Sequence, residues 1–176
     1  MPILRLAGKA SIRCRPVNSA LGGMKIEAIT SLATAGWLTL RKALWPDGSD
    51  AEHEEEMAGF LADPSRFGQF IARSEGGTSV GMAEVSVRSD YVNGTESSPV
   101  AFLEGLYVAP QARHTGVARA LLQAIRTWAL AHGCTELASD TQLENTVSQA
   151  VHARLGFIET ERVVYFNMAL QQPNAA

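Results

Sequence analysis

Residues 118–132, "ARALLQAIRTWALAH", place Ala118, Leu121, Leu122, Ile125, Trp128, Ala129 and His132 at three- and four-residue intervals. That spacing lays one apolar stripe along a helix, and Gly133 supplies the residue that ends it. Elsewhere the period shortens to two. "MKIEAIT" predicts a strand over 25–30, "GQFIARS" one over 68–74 and "SVGMAEVSVRSDYV" one over 79–92. The Asn93-Gly94 pair predicts a tight reversal into the next strand. That strand, "VAFLEGLYV" at 100–108, is nearly all apolar, as expected in the middle of a sheet covered on both faces. "TELASD" at 135–140 and "RVVYFNMAL" at 162–170 predict two more strands, with a helix between them from about Asn145 to Leu155.

The stretch between the first two strands predicts a helix over 31–44, a Trp-Pro-Asp-Gly turn, and a second helix beginning near Asp50. Ser49 followed by Glu52 is a capping box, and Asp50 and Glu52 favour the positive end of the helix dipole. Met57, Phe60 and Leu61 give this helix its apolar stripe, and Asp63-Pro64 ends it. A run of strands followed by strand, helix, strand, helix, strand predicts a mixed α/β, or α+β, single domain.

At 176 residues and 46% hydrophobic composition the chain can bury one sizeable core. Its first 23 positions hold Arg5, Lys9, Arg13 and Arg15 and no acid. They read as an extension ahead of a domain spanning 24–170, with an organelle transit peptide as the alternative. Residues 171–176 read as a flexible tail. From Met24 onward the chain carries 11 basic and 18 acidic residues, net −7 against −3 for the whole. Such a surface repels nucleic acid and anionic membrane, so neither is expected as a partner, and it attracts polycations. Cys14 and Cys134 are too few for a disulfide framework, which points to a reducing cytoplasm. No apolar run approaches the ~20 residues that span a bilayer, and no His, Cys and Asp stand at metal-ligand spacing, so no metal is expected.

The candidate chemistry sits in "APQARHTGVARALL", where the central strand hands over to the helix. Arg113, Gly116 and Ala118 form an RxxGxA pattern, so backbone N–H groups and the helix dipole converge on a concavity suited to phosphate. Arg113 and Arg119 add charge at its rim. The absence of GxxxxGK and GxGxxG argues against a nucleoside-triphosphate P-loop and a nicotinamide site. An ordinary glycine-containing loop is the alternative. Downstream, "ENTVSQAVHARLGF" sets Asn145 eleven residues before a Leu155-Gly156-Phe157 unit.

With these blocks the chain resembles the GNAT superfamily of acetyl-CoA-dependent N-acetyltransferases. "LRKALWP", "DYVNGTESSPVAFLEGLYV", "ASDTQLENTVSQAVHARLGF" and "ETERVVYF" look in particular like its aminoglycoside 6'-N-acetyltransferases. The resemblance implies a GNAT fold, a splayed, mostly antiparallel central sheet flanked by helices, opening a wedge for pantetheine. It implies that Leu106, Tyr107 and Val108 bind the pantetheine arm of acetyl-CoA. Arg113, His114, Thr115, Gly116, Val117 and Ala118 would bind the pyrophosphate, and Asn145 the coenzyme from the next helix. Many members carry a tyrosine proton donor four residues before the Gly-Phe; here that position is His152. An imidazolium is a competent acid, and a packed helix histidine is the equal alternative. Tyr165 is a further, weaker candidate donor. Homodimers are common in the family.

An amine must lose a proton before it attacks a thioester, so a carboxylate beside it is the natural base. Glu104 interrupts the apolar central strand, where an unpaired charge would be costly. A salt bridge to an arginine such as Arg88 is its alternative role. Asp140 ends the "TELASD" strand on the acceptor side, or else caps a helix or turn. The resemblance implies that Trp45, Tyr91, Glu104, Asp140 and Glu161 bind the aminoglycoside. Glu161 also reads as a strand-edge charge, and Trp45 and Tyr91 as core or dimer-contact aromatics. His53 shares a helical face with Met57 and reads as packed. Most of the acid run that follows Trp45 reads as a solvated face attracting polycations from a distance, with Asp47 and Trp45 nearer the acceptor. The competing functions are a GNAT enzyme acting on a polyamine or protein amine, and a non-catalytic coenzyme-binding module.

Overall fold

The computed structural model of the chain describes residues 23–169; the expected N-terminal extension, Gly23 apart, and the expected tail lie outside the described residues. The chain divides into two compact units, one ending at Ser139 and the other beginning at Asp140.

In the first unit β1 (Lys25–Ala28), β2 (Phe67–Arg73), β3 (Ser79–Arg88), β4 (Val100–Val108) and β5 (Leu137–Ala138) form one sheet in sequence order. The first four run antiparallel and β5 runs parallel to β4. Even-numbered residues of β3 face α1 (Trp37–Leu44) and α2 (Asp50–Ala62), where Met82 joins Ile29, Trp37, Leu40, Met57 and Ile71 in a buried cluster. The opposite face takes α3 (Val117–Ala131), whose Val117 and Leu121 rest on Gly81 and whose Trp128 rests on Gly68. A Cβ at Gly68 would lie 2.7 Å from the Trp128 ring, so the helix approaches the sheet through the missing side chain. The capping box is present: Ser49 Oγ accepts from the Glu52 N–H, and the Glu52 carboxylate accepts from the Ser49 N–H.

A single register shift between β3 and β4 decides which side chains of β4 reach the α1–α2 face. Glu84 pairs with Gly105 and Val85 with Leu103, so Glu104 is an extra residue, a β-bulge. Side chains alternate along a regular strand, yet Glu104 and Gly105 both face the α1–α2 side. Glu104 bonds Ser86, and Gly105 lies against Trp45.

Several expectations need correction. The helix expected from residue 31 begins at Trp37, because Gly36 at its N-cap has φ 86 and a Ser31 turn organises the residues before it. β3 stops at Arg88, and Asn93-Gly94 turns inside a loop spanning 89–99 rather than making a two-residue reversal. That loop is tied down by the Glu136 carboxylate, which accepts from the N–H groups of Glu96 and Ser97, and by Ser98 Oγ, which donates to the Ser89 carbonyl. The "TELASD" strand shrinks to two residues. Its pairing with β4 ends at Phe102↔Ala138, with Ser139 Oγ donating to the Leu103 carbonyl just beyond. From Glu104 to Val108, β4 has no paired strand on that side among the described residues, so the sheet splays there.

In the second unit α4 (Thr146–Leu155) forms as expected, with the Asn145 side chain accepting from the Ser148 N–H. The final strand expected at 162–170 does not form over its described residues. Tyr165 and Phe166 are 83% and 94% exposed, and no described residue of this segment pairs with a strand.

Candidate active site

On the α1–α2 face of the sheet lies a cleft of about 800 Å³ whose lining includes Trp45, Asp47, Glu52, Glu56, Glu84 and Glu104. Five carboxylates therefore converge on one space beside one tryptophan. Trp45 is half-buried and held from three sides. Its ring packs on Gly105, its carbonyl accepts from His53 Nε2 at 3.1 Å, and the Arg41 guanidinium lies 5.0 Å from its ring centroid. His53 is thus packed, as its helical phase predicted, and it fixes the turn that presents Trp45.

Glu104 is held as firmly. Arg88, lying 3.4 Å over the Phe102 ring, donates Nη2 to both carboxylate oxygens at 2.9 Å, and Ser86 Oγ donates to Oε1. The salt bridge to Arg88 read as an alternative role is real. It does not remove Glu104 from the cleft: Oε1 carries Ser86 and Arg88, whereas Oε2 carries a single Arg88 bond and keeps lone-pair capacity for a ligand.

Two residues, Glu84 and Arg41, escaped the sequence reading. Glu84 on β3 is 2% exposed, and its Oε1 accepts from Trp37 Nε1 at 2.8 Å with Arg41 Nη1 3.6 Å away. Arg41, equally buried, bonds Glu56 through Nη2. Burial pushes the Glu84 carboxyl up to about 7, while Arg41 and the Trp37 indole pull it down. The signal was available: Glu84 interrupts the apolar run "GMAEVSV" just as Glu104 interrupts its own. Glu52 and Glu56 line the cleft too, so the acid run is not only a solvated face; Glu52 is held below the usual carboxylate range by the Ser49 backbone and hydroxyl.

At the other candidate centre, His114 has φ 63 and Gly116 φ 92, two left-handed positions of the kind from which anion-binding backbone turns are built. Gly116 is the N-cap of α3 and no side chain caps that end, so its first amides are available to an anion. Thr115 Oγ1 donates to the Ala112 carbonyl and Arg113 Nε to that of Val108, which pins the loop to the end of β4. This arrangement fits a pyrophosphate. Gly116→Ala places a side chain at a left-handed φ costing about 1 kcal/mol. A several-fold rise in KM for acetyl-CoA is expected in steady-state kinetics, with KM for the acceptor unchanged.

The model of the acetyltransferase (GNAT) family matches residues 34–157. The chain belongs to the GNAT acetyltransferase family. Its relatives include the aminoglycoside N(6')-acetyltransferase type 1 of Serratia marcescens, 54% identical over 134 residues, 76% of this chain and 91% of that protein. The protein of the same description from Stenotrophomonas maltophilia is 51% identical over 146 residues, 83% and 94% of the two chains. Among solved structures, the aminoglycoside 6'-N-acetyltransferase AAC(6')-Ih of Acinetobacter baumannii superposes with a TM-score of 0.80 at 44% identity, covering 85% of this chain and all 100% of that one. AAC(6')-Iy, solved with the bisubstrate analogue CoA-S-monomethyl-acetylneamine, gives 0.78 at 44% identity over 84% and 99%.

GNAT acetyltransferases take their acetyl group from acetyl-CoA. The loop from Arg113 to Ala118 and the open edge of β4 at Leu106, Tyr107 and Val108 belong to the same unit. Of the other residues expected at the site, Tyr91 is not among those lining the cleft, and Asp140, His152 and Glu161 belong to the second unit. Tyr91 is 78% exposed in the loop after β3. Within the second unit Asp140 and Glu161 are exposed, and Asp140 caps no helix, since Asn145 fills that role for α4. His152 Nδ1 donates to the Ser148 carbonyl at 2.8 Å, and its ring meets Phe157 edge-on at 5.1 Å. Among the described residues no group of His, Cys, Asp and Glu is placed to hold a metal ion.

Proposed function

We propose that this GNAT enzyme transfers the acetyl group of acetyl-CoA to the 6'-amine of aminoglycosides, which inactivates them. The observation that carries this reading is the cleft itself: five carboxylates around a fixed tryptophan, on the same unit as an anion-binding helix start. Sugar rings stack on an indole face, and ammonium groups are drawn to both the ring and the carboxylates. The relatives' shared description points the same way.

In this reading Glu104 accepts the acceptor's proton, directly or through a water, and the freed amine attacks the thioester carbonyl. A β4 backbone N–H on the unpaired side stabilises the oxyanion, an effect worth a few kcal/mol. Asp140, Glu161, Tyr91 and Trp45 hold the acceptor, Asn145 contacts the coenzyme, and His152 returns a proton to the leaving thiolate. We assign the enzyme to the cytoplasm, where acetyl-CoA is available; none of the described helices is long and apolar enough to cross a membrane. A homodimer is part of the proposal. Its support is the exposed apolar surface of the second unit, with Val147, Tyr165 and Phe166 uncovered in a single chain.

The test is thiol release from acetyl-CoA with a panel of aminoglycosides, including a pair that differs only by amine or hydroxyl at the 6' position. Turnover confined to the 6'-amine member is expected. Turnover of both sinks the 6' assignment, and turnover of neither returns the enzyme to another amine substrate. Sedimentation of the full chain reads the oligomeric state.

A further inference from the structure

The cluster beneath the cleft does not balance its charge. Arg41 faces two carboxylates, Glu56, which it bonds, and Glu84, whose nearer oxygen stands 3.6 Å from Nη1. One negative charge is left over at the more deeply buried of the two. Glu84 Oε1 has the Trp37 indole, but Oε2 is buried without a hydrogen-bond partner among the described residues. A buried acceptor with no donor is costly, and Glu84 lines the cleft. The nearest cation does not close the gap. Arg41 Nη2 bonds Glu56, and the guanidinium lies 5.0 and 5.2 Å from the Trp45 and Phe60 ring centroids. Its Nη1, 3.6 Å from Glu84 Oε1, and its Nε have no hydrogen-bond partner among the described residues.

Two things can satisfy Oε2: a proton on the carboxyl, or a donor carried in by a ligand. In the free protein the first holds for much of the population at neutral pH, since burial has raised this carboxyl to about 7. The groups facing it from each side set the second. Arg41 comes from α1, and Glu56, with Glu52 and His53, from α2. The turn contributes Asp47, and the sheet contributes Glu104 with its paired Arg88. Acid outnumbers base among them, so a second cation entering the cleft is attracted.

On the reading of this cleft as the acceptor site, we propose that Glu84 is a further ammonium-binding carboxylate, its Oε2 accepting an N–H from a protonated amine of the polycationic acceptor in place of its own proton. The exchange balances: the carboxyl O–H proton leaves to solvent, and the ammonium brings its charge to the carboxylate that remains. Acceptor binding is thereby coupled to proton release, and acceptor affinity rises as the pH passes upward through 7.

The experiment compares wild type with Glu84→Gln, an isostere of the protonated acid, by titrating kanamycin calorimetrically in buffers of different ionisation enthalpy. The acceptor's own amines exchange protons in both proteins, so the difference isolates Glu84. Wild type is expected to release about half a proton more than the variant between pH 6 and pH 7, and little more than the variant at pH 8. The variant should bind kanamycin about tenfold more weakly at pH 8, with little difference at pH 6 and an unchanged KM for acetyl-CoA. Equal proton release and equal affinity at pH 8 overturn the proposal. Should the variant not fold, the infrared band of a protonated carboxyl in the wild type at pH 6 decides. Loss of that band on adding kanamycin supports the exchange, and its persistence overturns it. Failure of the wild type to acetylate kanamycin would fault the proposed function, whereas turnover with Glu84-independent proton release faults this inference alone.

Discussion

Glu104→Gln is expected to lower kcat/KM for a 6'-amino aminoglycoside by about a hundredfold while leaving KM for acetyl-CoA near its wild-type value. The amide keeps the shape of the side chain, and its oxygen at the Oε1 position can still accept from Ser86 and Arg88, while the NH2 at the Oε2 position gives up one Arg88 bond. What it loses is the ability to take a proton and to bear a charge beside the acceptor. Both kcat and acceptor KM should therefore move, and steady-state kinetics with each substrate varied in turn separates them. An unchanged kcat would mean that Glu104 serves only to anchor Arg88. Arg88→Lys provides the complement: it keeps a cation but loses the fork that reaches both oxygens and the flat face that lies on Phe102.

The second large effect lies one residue on. A Cβ at Gly105 would stand 2.4 Å from Trp45 Cη2, 2.7 Å from its Cζ2 and 3.0 Å from a Leu44 methyl carbon. The ring cannot move freely aside, because His53 holds the turn carbonyl and Arg41 covers its face. Gly105→Ala is therefore expected to destabilise the protein by about 1–3 kcal/mol, read as a lower midpoint in denaturant. It should raise KM for the acceptor more than it lowers kcat, because on the proposed function the displaced ring is a binding surface and not a proton carrier. A variant with wild-type stability and wild-type acceptor KM would show that Trp45 tolerates the crowding and that its present position is not needed.

The sequence made most of the fold legible through periods. The 3.6-residue stripe of α3, the capping box of α2 and the two-residue alternation of β2 and β3 each belong to one element, and each is present. Errors fell where partners decide. The loop at 89–99 is held by Glu136, some forty residues away, so a local Asn-Gly signal could not announce its length. The final strand had the right residues but pairs with no strand among the described residues. For the site, Trp45 and Glu104 do meet in one cleft, and the RxxGxA segment does form an uncapped, anion-ready helix start. Glu84 and Arg41 were overlooked. One is an acid in a strand whose importance depends on its neighbours, and the other a base in a helix where exposure is the ordinary expectation. Nor could alternation place Glu104 and Gly105 on one face, because the bulge that does so depends on the register against β3.

That bulge bears on how the gene can change. Because Leu103 already pairs with Val85 and Gly105 with Glu84, losing the codon for Glu104 would leave every other pairing in β4 where it is. The result would be a more regular sheet, with Trp45 still seated on Gly105 and the proposed base gone. On the proposed mechanism Glu104 is thus a residue that the catalyst needs and the scaffold does not. A single in-frame deletion would then separate an acetyltransferase from a folded, inert descendant.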